Sequence, residues 1–124
     1  MNLLDSSAFI ELIKGSEKGK LVGEIAKKER VYMSTISLAE VSAWVYRNKG
    51  DVSSIIERIK KNVTLIDLDE SLLIESGKLH VELRKTRKNI GLIDVIIYFS
   101  AAVNDLVLIT KDRDFEGLAN VDLM

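Results

Sequence analysis

The chain has 124 residues, 47% hydrophobic and 30% charged, with a net charge of −1. That balance excludes a disordered chain and gives no overall electrostatic case for a polyanionic partner, which has to rest on local patches. There is no cysteine, so a disulfide framework and a thiolate zinc site are excluded too.

Taken in chain order, Leu3-Leu4 reads as a short buried strand. Phe9 to Ile13 and Leu21 to Lys28 read as helices parted by the Gly15 to Gly19 stretch. Val31-Tyr32-Met33-Ser34 is a second strand by its β-favouring types. Ser37 to Arg47 follows as a helix, with Leu38, Val41, Trp44 and Val45 at spacings of three and four, and Gly50 is expected to end it. Val52 to Lys61 is predicted helical, Val63 to Ile66 a third strand, and Ser71 to Lys85 a long helix with Leu72, Leu79 and Leu83 on one face. Ile93 to Val103 is apolar on nearly all sides and is predicted to be a buried helix. Leu106 to Thr110 is the fourth strand and Val121 to Met124 an edge strand.

Strands alternating with helices predict a single α/β domain over residues 1–124, a three-layer sandwich with a parallel sheet. No apolar run approaches the ~20 residues of a membrane span. The N-terminus lacks the basic stretch and apolar core of a secretion signal, so a cytoplasmic location is expected.

In an open parallel sheet, ligands bind beyond the carboxyl ends of the strands. Acids fall in or near such positions: Asp5 after the first strand, Glu40 in the first turn of the helix after the second, Asp94 at the start of the apolar helix, and Asp112 then Asp114 after the fourth. Each alone has a plainer explanation. Ser37-Leu38-Ala39-Glu40 matches a capping box, Asp5 and Asp94 suit helix starts, and Asp112 suits a turn. Asp94 is the hardest to dismiss, because Ile93 and Val95 flank it and an unpartnered carboxylate in apolar surroundings is costly. If the four meet, their repulsion raises proton affinity and a divalent cation relieves it. An all-oxygen set suits Mg2+ or Mn2+ rather than zinc. His80, the sole histidine, falls mid-helix and reads as a structural or surface residue.

Four segments together carry a resemblance: Leu3-Leu4-Asp5-Ser6-Ser7-Ala8-Phe9-Ile10, Ser37 to Val41, Gly91 to Ile97 with Ser100-Ala101-Ala102 beyond, and Leu108 to Phe115. In order, spacing and length the chain resembles the PIN-domain family, and within it the VapC-type toxins of VapBC toxin–antitoxin pairs. The resemblance implies a PIN-like α/β/α fold with four to five parallel strands and a metal-dependent endoribonuclease that hydrolyses RNA phosphodiester bonds. It implies that Asp5, Glu40, Asp94 and Asp112 form an acidic quartet around Mg2+ or Mn2+, with Asp5 and Asp94 as direct ligands. Ser7 and Thr110 match hydroxyl positions that hold the acids, and Asp114 is a candidate fifth acid. A homodimer and an antitoxin partner are implied as well. Tyr98 and Phe99 add bulk where relatives often carry alanines, a packing difference.

Basic residues cluster at Lys27-Lys28-Arg30, Arg58-Lys60-Lys61 and Arg84-Lys85-Arg87-Lys88. They are either RNA-phosphate contacts or solvated helix ends. Three rival functions were weighed. An aspartate-nucleophile phosphatase needs a second acid where Ser7 stands. A phospho-receiver signalling domain would use Asp67 or Asp69 with Lys111, but normally pairs two acids after its first strand. An inactive PIN scaffold acting as a binding module is the third.

Overall fold

Leu3 and Leu4 are neighbours in the chain and both fully buried, yet they belong to different hydrophobic clusters. Alternation of side chains along a strand explains this: the sheet is covered on both faces. Leu108 and Ile109 repeat the split. The computed structural model describes residues 1–124.

The elements are β1 (Asn2–Leu4), α1 (Ser6–Lys14), α2 (Glu17–Lys28), β2 (Val31–Ser34), α3 (Ser37–Arg47), α4 (Val52–Asn62), β3 (Thr64–Ile66), α5 (Glu70–Arg84), α6 (Leu92–Val103), β4 (Val107–Thr110) and β5 (Val121–Leu123), with a short 3-10 turn at Arg113–Phe115. All strand pairs are parallel, in the order β3-β2-β1-β4-β5. One core holds Phe9 of α1, Val22 of α2, Val41 and Val45 of α3 and Ile59 of α4 against Leu4, Met33 and Ile109. The other holds Val95, Ile97 and Ala101 of α6 with Phe115 against Leu3 and Leu108, and Leu79 and Leu83 of α5 pack onto it. This is the three-layer α/β/α sandwich expected. No helix is long and apolar enough to cross a membrane.

Three local expectations need correction. The Gly15 to Gly19 stretch is not a loop: only Gly15 and Ser16 separate α1 from α2. Gly15 takes the left-handed cap position at φ 66°, while Gly19 lies inside α2, where a Cβ would stand 2.0 Å from the Glu11 carbonyl oxygen. Glycine there lets two helices touch; it does not break one. The residue with positive φ after α3 is Lys49, not Gly50, whose N–H instead bonds back to the Val45 carbonyl. Finally, α6 is buried only along its middle, with Leu92, Ile93 and Val103 exposed.

The order 3-2-1-4-5 makes β1 the point of reversal. The chain runs outward from β1 to β3, then returns to place β4 on the other side of β1. A crevice opens at the carboxyl ends of such a pair, and the segments after β1 and β4 border it.

Candidate active site at the carboxyl edge of the sheet

Asp5 directly follows β1 and caps α1, its Oδ1 accepting from the Ala8 N–H at 2.9 Å and from the Ser7 hydroxyl at 2.6 Å. Its Oδ2 accepts from the Thr110 hydroxyl at the end of β4. Asp5 is only 6% exposed, and burial pushes its pKa above the usual carboxylate range despite these donors, with Glu40 adding to the rise. Thr110 also accepts from the Asp112 N–H at 3.0 Å, so the ends of β1 and β4 are tied through one buried hydroxyl.

Glu40 does not form the capping box. α3 has no side-chain cap; Glu40 Oε1 instead accepts from the Ser6 hydroxyl at 2.6 Å. Ser37, the would-be cap, is fully buried with an unpartnered hydroxyl, as is Ser34 at the end of β2. Asp94 occupies the first turn of α6 and accepts a long 3.3 Å bond from the Gly91 N–H, so part of its role is the helix start the sequence suggested. Burial first, then Asp112, Glu40 and Asp5, push its pKa up to about 6. Asp112 starts the 3-10 turn, its carboxylate accepting from the Asp114 N–H at 2.9 Å.

Four acids from four separate segments therefore lie close enough to act on one another's charge. Asp114 is not among the acids that raise Asp94, and its carbonyl receives the Arg87 guanidinium at 3.1 Å. No three acidic or histidine side chains are yet oriented as a coordination shell. Each carboxylate is turned onto protein donors, as expected of like charges lacking a cation between them. The donor set is all oxygen and rich in carboxylates, which fits magnesium or manganese and not a soft metal.

The structure adds Glu11, which the sequence reading missed. It is 4% exposed and bonds the Lys111 ammonium at 2.6 Å and the Ser16 hydroxyl at 2.5 Å. Lys111 and then Ser16 hold its pKa down to about 2. An acid among Ile10, Leu12 and Ile13 was the available signal, but its partner lies 100 residues on.

The basic clusters do not flank this edge as a group. Lys27, Lys28 and Arg30 meet Lys60 and Lys61 around a groove of about 460 Å³ where α2 and α4 end and β2 and β3 begin, at the opposite end of the sheet. Arg87 is structural, bonding the Asp114 and Glu116 carbonyls. His80 bonds the Ile90 carbonyl at 3.2 Å, consistent with a structural role. Tyr98 packs on Phe115 and bonds the Ala119 carbonyl, which absorbs its extra bulk. In the receiver reading Asp69 would be a phospho-acceptor, but it caps α5 through the Leu72 N–H, and Lys111 is taken by Glu11.

The sequence profile of the PIN domain matches residues 3–121. The chain belongs to the PIN domain family. A chain of a toxin–antitoxin complex from Klebsiella pneumoniae is 25% identical with a TM-score of 0.78, over 98% of this chain and 96% of that one. A chain of VapBC-1 from nontypeable Haemophilus influenzae is 24% identical with a TM-score of 0.78, over 99% and 96%. VapC20 of Mycobacterium tuberculosis, a toxin that cleaves the sarcin–ricin loop, shares the fold at 14% identity with a TM-score of 0.76, over 99% and 98%. Among curated proteins no sequence matches significantly.

Proposed function

We propose that this PIN domain is a Mg2+- or Mn2+-dependent endoribonuclease, the toxin of a toxin–antitoxin pair, working as a homodimer and held in check by a cognate antitoxin. The observation that carries the reading is the convergence of Asp5, Glu40, Asp94 and Asp112 beside the β1/β4 crevice. Structural neighbours taken from toxin–antitoxin complexes support the antitoxin partner.

Asp5 and Asp94 are the acids proposed to hold the cation, with Glu40 and Asp112 completing its surroundings. When bound, such an ion supplies activation of a water and neutralisation of charge on a phosphodiester undergoing in-line attack. The chain's own contribution is orientation. Ser7, Thr110 and the Ala8 N–H fix the Asp5 carboxylate from three sides, and Ser6 fixes Glu40. Asp94, its affinity for a proton raised to about 6, is the acid that gains most from a cation and the one suited to exchange a proton near neutral pH.

The test is cleavage of a mixed-sequence single-stranded RNA and of a sarcin–ricin stem-loop, with magnesium, with manganese and with chelator, comparing wild type with Asp94→Asn. Metal-dependent cutting that the substitution abolishes supports the assignment. Cutting that survives Asp94→Asn, or that persists in chelator, overturns it.

A further inference from the structure

Helix α5 has apolar residues on two sides, and only one of them is used within the chain. Leu72 and Ser76 are buried, and Leu79 and Leu83 pack on the core. At 100° per residue, Leu73, Ile74, Gly77 and Val81 turn away from that row. Leu73, Ile74 and Val81 are 42%, 64% and 62% exposed. Their spacing of three and four residues is that of a helix–helix seam.

Gly77 stands at the midpoint of this 15-residue helix, and a Cβ there would meet nothing within 4 Å. A mid-helix glycine costs about 1 kcal/mol relative to alanine. Nothing inside the chain requires it, whereas close approach of a second helix does.

The chemistry on either side of Gly77 identifies that helix. Four residues away in each direction stand Leu73 and Val81; seven residues away stand Glu70 and Arg84. Glu70 and Arg84 are exposed and have no ion-pair partner in their own chain. Laid antiparallel on its own copy, α5 would set Leu73 against the partner's Val81 and Glu70 against the partner's Arg84, twice over. A two-fold interface has this self-complementarity.

We infer that the outer face of α5 is the seam on which two copies of this chain associate, crossing antiparallel at Gly77. The His80–Ile90 bond anchors the end of this helix to the segment leading into α6, where Leu92 and Ile93 carry exposed apolar surface on to Asp94. The inference rests on the homodimer of the proposed function and is separable from its nuclease chemistry.

The experiment is sedimentation equilibrium of the full chain over a micromolar range, without RNA or metal, with circular dichroism confirming that each variant is folded. Wild type should be a dimer, and Gly77→Leu or Val81→Glu should raise its dissociation constant at least ~10-fold, as loss of a seam centre does. Glu70→Arg and Arg84→Glu should each weaken it roughly tenfold by placing two like-charge pairs across the axis. Combined in one chain they should restore it to within a few-fold of wild type. A chain monomeric throughout overturns both seam and homodimer. A dimer indifferent to these variants, or one that the double reversal fails to rescue, overturns the seam alone. RNA cleavage, measured separately, bears on the nuclease reading and not on this one.

Discussion

Thr110 and Asp5 are 105 residues apart in the chain and are joined by a hydrogen bond from a fully buried hydroxyl to a buried carboxylate. The same hydroxyl accepts from the Asp112 N–H, so one side chain orients two of the four acids. Thr110→Val keeps the shape and removes both bonds. Leaving buried polar groups unpaired costs about 1–3 kcal/mol, so urea unfolding should show a loss of that size. Cleavage should fall at least ~10-fold, within the range for residues that support a metal site, and Thr110→Ser should recover most of both. A Val variant that is as stable and as active as wild type would remove Thr110 from the site.

Asp94 gives the site a pH signature. Its folded-state pKa is raised to about 6 from 3.8, so the folded protein binds this proton more tightly than the unfolded chain does. The stabilising contribution is complete below 3.8 and is lost as pH rises through 6. In the absence of metal, Asp94→Asn should therefore stabilise the protein near neutral pH, by about 1–2 kcal/mol after allowance for solvent screening. The advantage should shrink between pH 6 and 4 as the wild-type acid takes up its proton. Thermal melts in chelator across that range measure it, and an advantage unchanged at pH 4 would contradict the repulsion argument.

Glu11 predicts the opposite slope. Its pKa is held down to about 2 from 4.5, so its contribution is present above 4.5 and lost as pH falls toward 2. Glu11→Gln should remove that portion of acid sensitivity. Lys111→Met should destabilise more than Glu11→Gln, because it leaves a buried carboxylate without its main partner. Acid titration of both variants by tryptophan fluorescence distinguishes the two, and equal effects would argue that Glu11 is solvated.

The two glycines of α2 make a paired test. Gly19→Ala would drive a methyl against the Glu11 carbonyl oxygen, forcing α1 and α2 apart at a cost of about 3 kcal/mol. At Gly23 the nearest atom to a new Cβ is Leu12 Cδ1 at 3.5 Å, an ordinary contact. Gly23→Ala should instead stabilise by up to ~1 kcal/mol through helix propensity. Melting temperatures moving in the same direction would refute the packing argument.

The sequence was most legible where local periodicity and global packing agree. Val31 to Ser34 and Ser37 to Arg47 were bounded correctly because β-branched types and a three-four repeat leave one choice each. Gly19 was misread because its role lies in a neighbouring helix, not in its own segment. The four acids were locatable because the carboxyl ends of parallel strands are where ligand groups belong, and Asp5, Asp94 and Asp112 do also cap, as the plainer readings held. What no local pattern could give was the pairing of Glu40 with Ser6 in place of Ser37, or of Glu11 with Lys111. Both depend on how segments far apart in the chain are brought together.

Ser6 is the residue whose role follows only from that assembly, and it separates positioning from stability. Its hydroxyl is the one side-chain donor bonded to Glu40, at 2.6 Å, whereas Ser7 holds both Asp5 and the Lys111 N–H. Ser7→Ala should therefore lower both cleavage and stability. Ser6→Ala frees a carboxylate at the partly exposed start of α3, so stability should change by less than ~1 kcal/mol. Cleavage should nonetheless fall about tenfold, with a matching rise in the manganese concentration needed for half-maximal rate, since a support of a metal ligand acts through affinity. Ser6→Thr, which keeps the donor, should recover the rate. If Ser6→Ala costs stability without moving the manganese dependence, then Glu40 is held for the fold and not for the metal, and the cation rests on the other three acids.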